Sequence, residues 1–589
     1  MNNTKTICDL LHEQNNLFRN KTLLNYKAKN KLISFSNQDL HEKSLQFACG
    51  LKALGVKKND NLANFSYQNP IWLIIDFGAI LAGLVTVPIF HNISSKNLVF
   101  QINDSRTRII FTDDLKLINL KEINQSNIKI IYLDNNDRAK HKFKKENIIS
   151  LEEIMAAGKD AIKDKETDFQ KLSQQVKSDD LATIIYTSGS TGNPKGVELT
   201  HKNLMSQIGS TKIFFPLAKN DVALSYLPLA HIFERMVMMY YISQGISIYF
   251  VDDVKKISDY LQEFKPTLMT TVPRLLEKIY ININIKIDSA GLLKKLIAKF
   301  AIKKALTKDT SIKKTMIDNI CDKIIYSKIR QSLGGSLKMI ICGGAMISRD
   351  MEKFFTNIGL NLYPGYGMTE TSPVISANCP KNYKFASVGK LYCDVNARIN
   401  QDGELEVKGP NVMKRYHNQQ GLTNEVIDKD GWLKTGDLAE IDNDGFIKIT
   451  GRKKELFKTA YGKYVAPIPI EQKLVENISF LTGSLVIAEG KQFTSALLFP
   501  DFEMLPKVKD KMKFNGTALE LLESSTLVNL VQNKVNQINK NLNKWEKIQK
   551  FIIIKDEISV ENGDITPSMK LKRAALEKKY NNIIKDIYH

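Results

Sequence analysis

Hydrophobic positions along most of the chain come in short runs that alternate with longer stretches of mixed, helical pattern. The runs Ile109–Thr112 and Ile128–Leu133 predict buried strands, and Asp180–Tyr186 predicts another that enters a glycine-rich loop. Strands that alternate with helices are typical of layered α/β proteins with largely parallel sheets. We therefore expect an α/β fold with doubly wound sheets over most of the chain.

One apolar stretch, Ile71–Phe90, is long enough to cross a bilayer. However, Asp76 interrupts it, and its second half, Val85–Ile89, is rich in β-branched residues and contains a proline. A buried helix followed by a buried strand explains this pattern better than a membrane span does.

The character of the chain changes after Arg452. Short strand-like runs, Leu485–Ile487 and Phe551–Ile554, lie among helical segments there and predict a small α+β domain. We expect a large domain over residues 1–451, a hinge at 452–455 and a C-terminal domain over 456–589.

A lysine-rich segment within the expected large domain has the pattern of a basic amphipathic helix. On a helix, one apolar stripe would hold Leu292, Leu293, Leu296, Ile297, Phe300 and Ala301. The flanks and the opposite face would carry Lys294, Lys295, Lys299, Lys303 and Lys304. Two interpretations stay open: a helix that lies on an anionic bilayer, and a helix that packs on the core with a solvated lysine face.

Composition places the chain among globular proteins. Of its 589 residues, 43% are hydrophobic and 25% charged, which allows a large core and excludes a disordered polymer. The net charge of +21 favours polyanionic partners such as nucleic acid, nucleotides or an anionic membrane, unless it reflects a general bias toward lysine. The six cysteines form no CxxC pair, so neither a zinc site nor a disulfide framework is indicated.

The strongest chemical signal is the loop Tyr186–Gly196, which follows a predicted strand. Its glycines allow backbone N–H groups to approach phosphate oxygens, its hydroxyls add donors, and Lys195 adds a mobile cation. The loop is not a Walker A motif, because Pro194 and Gly196 stand where that motif needs glycine and a hydroxyl. The phosphate-binding residues predicted here are Thr187, Ser188, Gly189, Ser190, Thr191, Gly192 and Lys195.

This loop resembles the phosphate-binding signature of the adenylate-forming superfamily, which includes acyl-CoA synthetases, peptide-synthetase adenylation domains and luciferases. Further segments resemble the motifs of that superfamily in the same order: Cys342–Ala345 beside the adenine, Tyr366–Glu370 for adenine and metal, Thr435–Asp437 for the ribose, Gly451–Glu455 at the hinge, and Thr566–Arg573 around a catalytic lysine. The resemblance covers nearly the whole chain. It implies a barrel-like part in the large domain and a mobile C-terminal domain.

The resemblance also implies a role for each position. Gly343, Gly344, Ala345, Tyr366, Gly367 and Thr369 would border the adenine, and Asp437 and Arg452 would hold the ribose. Thr187 and Glu370 would bind the Mg²⁺ that bridges the ATP phosphates, as hard oxygen ligands do. Lys570 would bridge the acyl carboxylate and the phosphate during adenylation, Lys454 would be the hinge, and the segment around Gly462 would reach a pantetheine channel.

The implied reaction joins a carboxylic acid to the α-phosphate of ATP and then passes the acyl group to a thiol. Four segments resemble the long-chain fatty acid subgroup: Leu227–Arg235, Val272–Tyr280, Gly409–Met413 and Pro467–Glu471. His231 could orient the fatty carboxylate or could be structural, and Tyr461, Arg415, Cys342 and Ala574 depart from the usual pattern.

Three functions compete at this point. The first is a long-chain acyl-CoA synthetase using ATP, Mg²⁺ and coenzyme A, and the second is an acyl-carrier-protein synthetase. The third is a non-catalytic scaffold on the same fold. No nucleic-acid partner is expected. Without an apolar segment near Met1 to suggest a signal peptide, we expect a cytoplasmic protein, either free or peripheral on the inner face of a membrane.

Overall fold

A computed structural model describes residues 5–115, 118, 122–123, 128–133, 147–164, 168–187, 194–308, 315–560, 562–566 and 570–588. Its strands in chain order are β1 (Thr22–Ala28), β2 (Lys31–Ser36), β3 (Asn61–Phe65), β4 (Val85–Pro88), β5 (Ile109–Thr112), β6 (Lys129–Tyr132), β7 (Ile148–Ser150), β8 (Leu181–Thr187), β9 (Lys195–Thr200), β10 (Val222–Ser225), β11 (Ser247–Phe250), β12 (Leu268–Thr271), β13 (Met339–Cys342), β14 (Leu362–Gly367), β15 (Val374–Ala377), β16 (Lys390–Leu391), β17 (Asn396–Ile399), β18 (Glu404–Lys408), β19 (Arg415–Tyr416), β20 (Leu433–Ile441), β21 (Ile447–Arg452), β22 (Phe457–Lys458), β23 (Tyr464–Val465), β24 (Leu481–Ile487), β25 (Thr494–Pro500) and β26 (Ile548–Ile553).

The helices connect and cover these strands. In chain order they are α1 (Ile7–Phe18), α2 (Asn37–Ala53), α3 (Pro70–Leu81), α4 (Ser95–Asp104), α5 (Leu151–Lys163), α6 (Phe169–Ser173), α7 (His201–Phe214), α8 (Ile232–Ser243), α9 (Ile257–Phe264), α10 (Pro273–Asp288), α11 (Leu292–Thr307), α12 (Met316–Cys321), α13 (Ser327–Ser332), α14 (Arg349–Asn357), α15 (Gln420–Val426), α16 (Pro467–Asn477), α17 (Leu505–Met512), α18 (Ala518–Glu523), α19 (Ser525–Asn539), α20 (Arg573–Lys579) and α21 (Asn581–Tyr588).

Two large mixed sheets form the body of the first part of the chain. One has the strand order β19-β9-β8-β4-β3-β5-β6-β7, and the other has β16-β15-β14-β13-β12-β10-β11-β1-β2. The strands at the centre of each sheet are parallel. Antiparallel strands lie at both edges of the second sheet and at the β19 edge of the first, whereas β7 at the other edge of the first is parallel to β6. The predicted α/β class with layered sheets is confirmed. The expected barrel-like part is an open antiparallel sheet, β17-β18-β20-β21, which does not close among the described residues.

The apolar stretch 71–90 folds as a helix and a strand inside the protein. Helix α3 is capped by the side chain of Asn69 and begins with a proline, and its residues are almost all buried. Asp76 lies in its middle and accepts two hydrogen bonds from Arg235, at 2.9 and 2.8 Å, so the charge is paired where it is buried. Over the residues that the structure describes, no helix is both long and apolar enough to cross a bilayer.

The C-terminal part has hydrophobic cores of its own. One is built on α16, α19 and the sheet β24-β25-β26, and a second lies between that sheet and the helices α20 and α21. The predicted small α+β unit is therefore seen, while the exact division at residues 452–455 stays a prediction. All six cysteines are free thiols.

Polar contacts hold this part against the rest of the chain. Arg274 donates to the carbonyl oxygen of Leu481 at 2.9 Å and lies 3.7 Å from the Asp501 carboxylate. Gln472 donates to the carbonyl oxygen of Met346 at 2.7 Å. Since Met346 directly follows the predicted adenine motif, these contacts place the C-terminal part beside the candidate site.

Candidate active site

The two ends of the glycine-rich loop lie side by side in one sheet. Thr187 is the last residue of β8 and Lys195 the first of β9, and the two are antiparallel partners. This pairing places both ends of the loop at the same end of the two strands, where a phosphate group could reach the side chains of Thr187 and Lys195. The other predicted loop residues lie outside the described residues: Ser188, Gly189, Ser190, Thr191 and Gly192.

A tyrosine connects this loop to the predicted metal ligand Glu370. The Tyr416 hydroxyl donates to Glu370 Oε1 at 2.7 Å, and the Lys195 ammonium lies 5.4 Å from the centre of the Tyr416 ring. Burial raises the pKa of Tyr416 far above its usual range, and the neighbouring Glu370 raises it further, so the hydroxyl stays a donor. Through Tyr416, the structure thereby brings Lys195 and Glu370 into one neighbourhood. Among the described residues, we observe no protein group that donates a hydrogen bond to Glu370 Oε2.

The predicted adenine and ribose residues form a second hydrogen-bonded group. Tyr366 donates its hydroxyl hydrogen to Asp437 Oδ2 at 2.6 Å, and Arg452 Nε lies 3.0 Å from Asp437 Oδ1. Thr435 fixes the turn by accepting from the Asp437 backbone N–H at 3.1 Å. Both carboxylate oxygens keep a lone pair for a further donor, such as a ribose hydroxyl.

Backbone geometry explains the glycines of the two adenine motifs. A Cβ at Gly367 would lie 1.9 Å from the carbonyl oxygen of Pro373, so no side chain fits there. Gly344 has a φ of +80°, which is strained for any other residue, and Gly343 is buried against the ring of Phe233. Ala345 is exposed, and Glu370 lies in the short turn Thr369–Thr371.

His231 caps the first turn of α8. Its Nδ1 accepts the Phe233 backbone N–H at 3.2 Å, so the proton of the neutral ring is on Nε2. Burial, and to a smaller extent the positive charge of Lys570, lower the pKa of His231 to about 4. The sequence left open whether this histidine is structural or orients a carboxylate; the geometry allows both, since a capping Nδ1 leaves the Nε2–H group as a donor.

Lys570 reaches the same cleft from the C-terminal part of the chain. Crowding by protein atoms lowers the pKa of its ammonium group, Arg452 lowers it further, and Asp437 and Glu455 act in the opposite direction. Residue Lys570 nevertheless keeps a large exposed surface, so the ammonium is crowded but accessible. Lys570 therefore lies within electrostatic range of both His231 and Arg452.

Two further predicted residues lie in short turns of the backbone. Lys454 is in a short turn, Lys453–Glu455, that directly follows β21. Gly462 is at an exposed hairpin between β22 and β23, where its φ of +76° suits glycine, and the neighbouring Tyr461 is exposed. The backbone of this hairpin bonds to Lys491 of the C-terminal part.

Sequence reasoning missed Tyr416 and gave no role to several charged residues. Arg415, which departs from the usual pattern, pairs with Glu198 at 2.8 Å. Arg573, the last residue of the predicted catalytic-lysine motif, bonds to Glu471 and to the carbonyl oxygen of Val486 within the C-terminal part. No periodicity marks such contacts, because each joins residues far apart in the chain.

The arrangement can hold a nucleoside triphosphate and stabilise negative charge that develops on its phosphates. The described residues contain no cluster of three or more protein groups able to hold a metal by themselves. A divalent cation would therefore share its ligands with the nucleotide, which fits the pair of oxygen donors on Thr187 and Glu370.

Comparisons with known proteins agree with this arrangement. The sequence profile of the AMP-binding enzyme family matches residues 11–417, and that of the AMP-binding enzyme C-terminal domain matches residues 455–589. The fold is similar to the adenylation domain of the carboxylate reductase from Mycobacterium chelonae, with a TM-score of 0.78, 18% identity, and coverage of 100% of this chain and 91% of that one.

The fold and the matched profiles together define an AMP-binding, adenylate-forming enzyme, and the chain belongs to that family. It is 32% identical to the long-chain-fatty-acid–CoA ligase FadD15 of Mycobacterium bovis over 92% of this chain and 90% of that protein. It is 31% identical to the long-chain-fatty-acid–CoA ligase 5 of Mus musculus over 89% of this chain and 79% of that protein. The predicted resemblance to the long-chain fatty acid subgroup is confirmed.

Proposed function

We propose that this protein is a long-chain-fatty-acid–CoA ligase that forms AMP. A fatty carboxylate oxygen attacks the α-phosphorus of ATP, and the bond to the β-phosphate breaks to release pyrophosphate. The sulfur of coenzyme A then attacks the acyl carbon, and AMP leaves as the thioester forms. The observation that carries this proposal is the convergence of Lys195, Glu370, Asp437, Arg452 and Lys570 on one cleft.

In the first step, cations and fixed donors surround the reacting groups. Lys570 lies between the acyl carboxylate and the α-phosphate and offsets the charge that develops there. His231 donates its Nε2–H to the carboxylate and stays neutral above a pH of about 4, so it does not add to the positive charge. Lys195 and the loop residues Ser188 to Gly192 hold the β- and γ-phosphates.

Mg²⁺ fits the oxygen ligands that the chain provides. Glu370 keeps Oε2 for the metal while Tyr416 holds Oε1, and the Thr187 hydroxyl stands at the end of β8 beside the loop. When bound there, the ion would neutralise part of the phosphate charge. Holding Glu370 by a hydrogen bond on one oxygen orients the other, as is common around metal ligands.

The nucleoside is held by the group around Asp437. Tyr366 offers its ring face to the adenine, and its hydroxyl keeps Asp437 in place for the ribose hydroxyls. Gly343, Gly344 and Gly367 let the backbone approach the base without side-chain clashes, and Ala345 and Thr369 complete the wall beside it.

The second step needs a different position of residues 456–589. Turning about the hinge 452–455, with Lys454 at its centre, removes Lys570 from the cleft and brings the hairpin of Gly462 toward the thiol. The contacts of Arg274 and Gln472 belong to the first position. A thiolate is a strong nucleophile, so positioning is the main task of the protein in this step.

We further propose that the enzyme works as a peripheral protein on the inner, anionic face of a membrane, where long-chain fatty acids reside. The net charge of +21 supports attraction to such a surface.

The test is ATP–pyrophosphate exchange with dodecanoate, palmitate or oleate, followed by product analysis with coenzyme A and with a phosphopantetheinylated carrier protein. We expect exchange that needs both Mg²⁺ and fatty acid, AMP as product, and a thioester of coenzyme A. ADP as product would refute the reaction, and a thioester formed only on the carrier protein would assign the acceptor to the alternative function. Absence of exchange would favour the non-catalytic scaffold.

A further inference from the structure

Helix α11 presents a row of large apolar side chains to solvent. Leu293, Ile297 and Phe300 are 72%, 40% and 56% exposed, and Leu292 and Leu296 are exposed beside them. The predicted stripe also included Ala301, which is buried. The solvent side of this helix therefore carries large apolar side chains as well as lysines.

The opposite side of α11 is already packed on the protein core. Ala298, Ala301, Ile302 and Ala305 are buried there, and the Tyr326 hydroxyl donates to the Ala301 carbonyl oxygen at 2.7 Å. The small side chains of this buried side let the helix lie close to its neighbours. The helix cannot bury its outer row by rotating, because rotation would expose the side that now packs on the core. Only a partner that is not among the described residues could cover the outer row.

A second row lies on the adjacent helix. Met316 is 80% exposed, and Ile317, Ile320 and Ile324 are exposed on α12 and the π-helical turn after it. The two helices are tied together because Lys304 and Lys308 both pair with Asp318, at 3.2 and 2.7 Å. We call the exposed residues of these two rows the helix-pair surface. Isolated exposed apolar residues are ordinary, but a group of this size on neighbouring helices marks a contact surface.

The charges around the helix-pair surface are almost all positive. Residues 289–308 contain six lysines and no acidic residue. Among the described residues, the acidic groups that flank these helices are neutralised within the protein: Asp288 pairs with Lys295 and Lys299, Asp318 with Lys304 and Lys308, and Asp322 with Arg330. Lys294, Lys303 and Lys323 are exposed and pair with no acidic side chain among the described residues.

We propose that the helix-pair surface docks on an anionic lipid bilayer, with the apolar rows among the acyl chains and the exposed lysines at the headgroups. Apolar anchoring combined with lysine–headgroup attraction is the usual basis of interfacial binding. A second copy of the chain fits less well, because it would bring lysines against lysines on a protein that carries a charge of +21.

The position of this surface suits the proposed ligase, on which the functional part of the inference rests. Helix α10 begins after Val272, which lies against Gly344 of the candidate site, and ends at Asp288, which holds Lys295 and Lys299 of α11. A helix of 16 residues spans about 24 Å. A bilayer bound at the surface would therefore lie one helix length from the site and could deliver the fatty acid.

Vesicle flotation of the full-length protein tests the proposal. Vesicles contain either phosphatidylcholine alone or a mixture with phosphatidylglycerol, at low and high salt. The apolar variant carries Leu293→Gln, Leu296→Gln and Phe300→Gln, and the charge variant carries Lys294→Gln, Lys303→Gln and Lys323→Gln. A matched control changes three exposed lysines elsewhere in the chain: Lys381→Gln, Lys429→Gln and Lys434→Gln.

We expect the wild type and the control to bind the anionic vesicles, and salt to weaken that binding. Each lysine contributes roughly fivefold, so the charge variant should bind on the order of 100-fold more weakly. The apolar variant should lose binding while its thermal unfolding stays that of the wild type, because the replaced side chains lie on the surface.

Three outcomes would overturn the proposal. The first is a wild type that does not bind vesicles at all, and the second is a pair of variants that bind as tightly as the wild type. The third is a wild type that forms a dimer and binds no vesicles, while the apolar variant is a monomer. Flotation does not depend on catalysis. Protein that floats but shows no pyrophosphate exchange would refute the proposed function alone, and protein that exchanges but does not float would refute the docking surface alone.

Discussion

Replacing Lys570 by alanine should separate the two half-reactions. In the structure the Lys570 ammonium shares a cleft with Arg452, Asp437 and His231, which is the position proposed for adenylate formation. The proposed second position moves Lys570 away. We therefore expect Lys570→Ala to abolish most of the pyrophosphate exchange while a supplied acyl-adenylate is still converted to the thioester.

The size of the loss follows from the exposure and charge of the side chain. A cation about 4 Å from a unit negative charge contributes about 4 kcal/mol at an effective dielectric constant near 20. Lys570 is accessible to solvent, which screens part of this interaction. Removing one such preorganised contact typically costs about 2.7–4 kcal/mol, a factor on the order of 10²–10³ in rate. We expect the lower end of that range.

The pH dependence gives a second readout of the same residue. Crowding, and then Arg452, lower the pKa of Lys570 below its ordinary value, so the ammonium is charged below that pKa and neutral above it. Adenylation should therefore fall as the pH rises through the lowered pKa, at a lower pH than for a free lysine. This alkaline limb should be missing in Lys570→Ala.

The assay compares ATP–pyrophosphate exchange with thioester formation from purified acyl-adenylate and coenzyme A. Lys572→Ala is the matched control, because it removes the same charge two residues away at the start of α20. It should leave exchange within a few-fold of the wild type. Equal damage to both half-reactions by Lys570→Ala, or an equal loss of exchange in the control, would refute the assigned role.

Three further predictions concern metal binding, domain position and backbone space. Glu370→Gln should raise the Mg²⁺ concentration needed for half-maximal exchange about tenfold or more, because an amide is a poorer ligand for a hard cation; an unchanged requirement would remove Glu370 from the metal site. Asp501→Asn weakens the contact with Arg274 and should slow adenylation up to about fivefold without slowing thioester formation from acyl-adenylate; equal slowing of both steps would contradict this. Gly367→Ala should destabilise the protein by about 1–3 kcal/mol in urea unfolding, whereas Gly421→Ala, where a Cβ meets open space, should not; equal stability of the two variants would show that the clash relaxes freely.

Local pattern was enough to place the main elements and the strand that enters the glycine-rich loop. The stretch 71–90 was predicted as a buried helix and strand, and it forms α3 and β4. The strand before the glycine-rich loop was predicted over Asp180–Tyr186 and spans Leu181–Thr187. These features depend on neighbouring residues alone, since periodicity, prolines and glycine content act over a few positions.

The partners of the site residues could not be obtained in the same way. Tyr366 and Asp437 are 71 positions apart, and Tyr416 and Glu370 are 46 apart, yet each pair is joined by one hydrogen bond. Arg235, which the sequence left without a role, proved to be the buried partner of Asp76. Such contacts depend on the order in which strands join a sheet, which residue periodicity does not specify.

Helix α11 shows most clearly the difference between what the local sequence determines and what the tertiary structure decides. The sequence by itself determined that residues 292–306 form a helix with large apolar residues and many lysines, because helical periodicity is a local property. It could not determine which apolar side is covered. The tertiary structure decided this by packing the small residues Ala298, Ala301 and Ala305 on the core, where close approach to neighbouring helices favours small side chains, and so left Leu293 and Phe300 exposed.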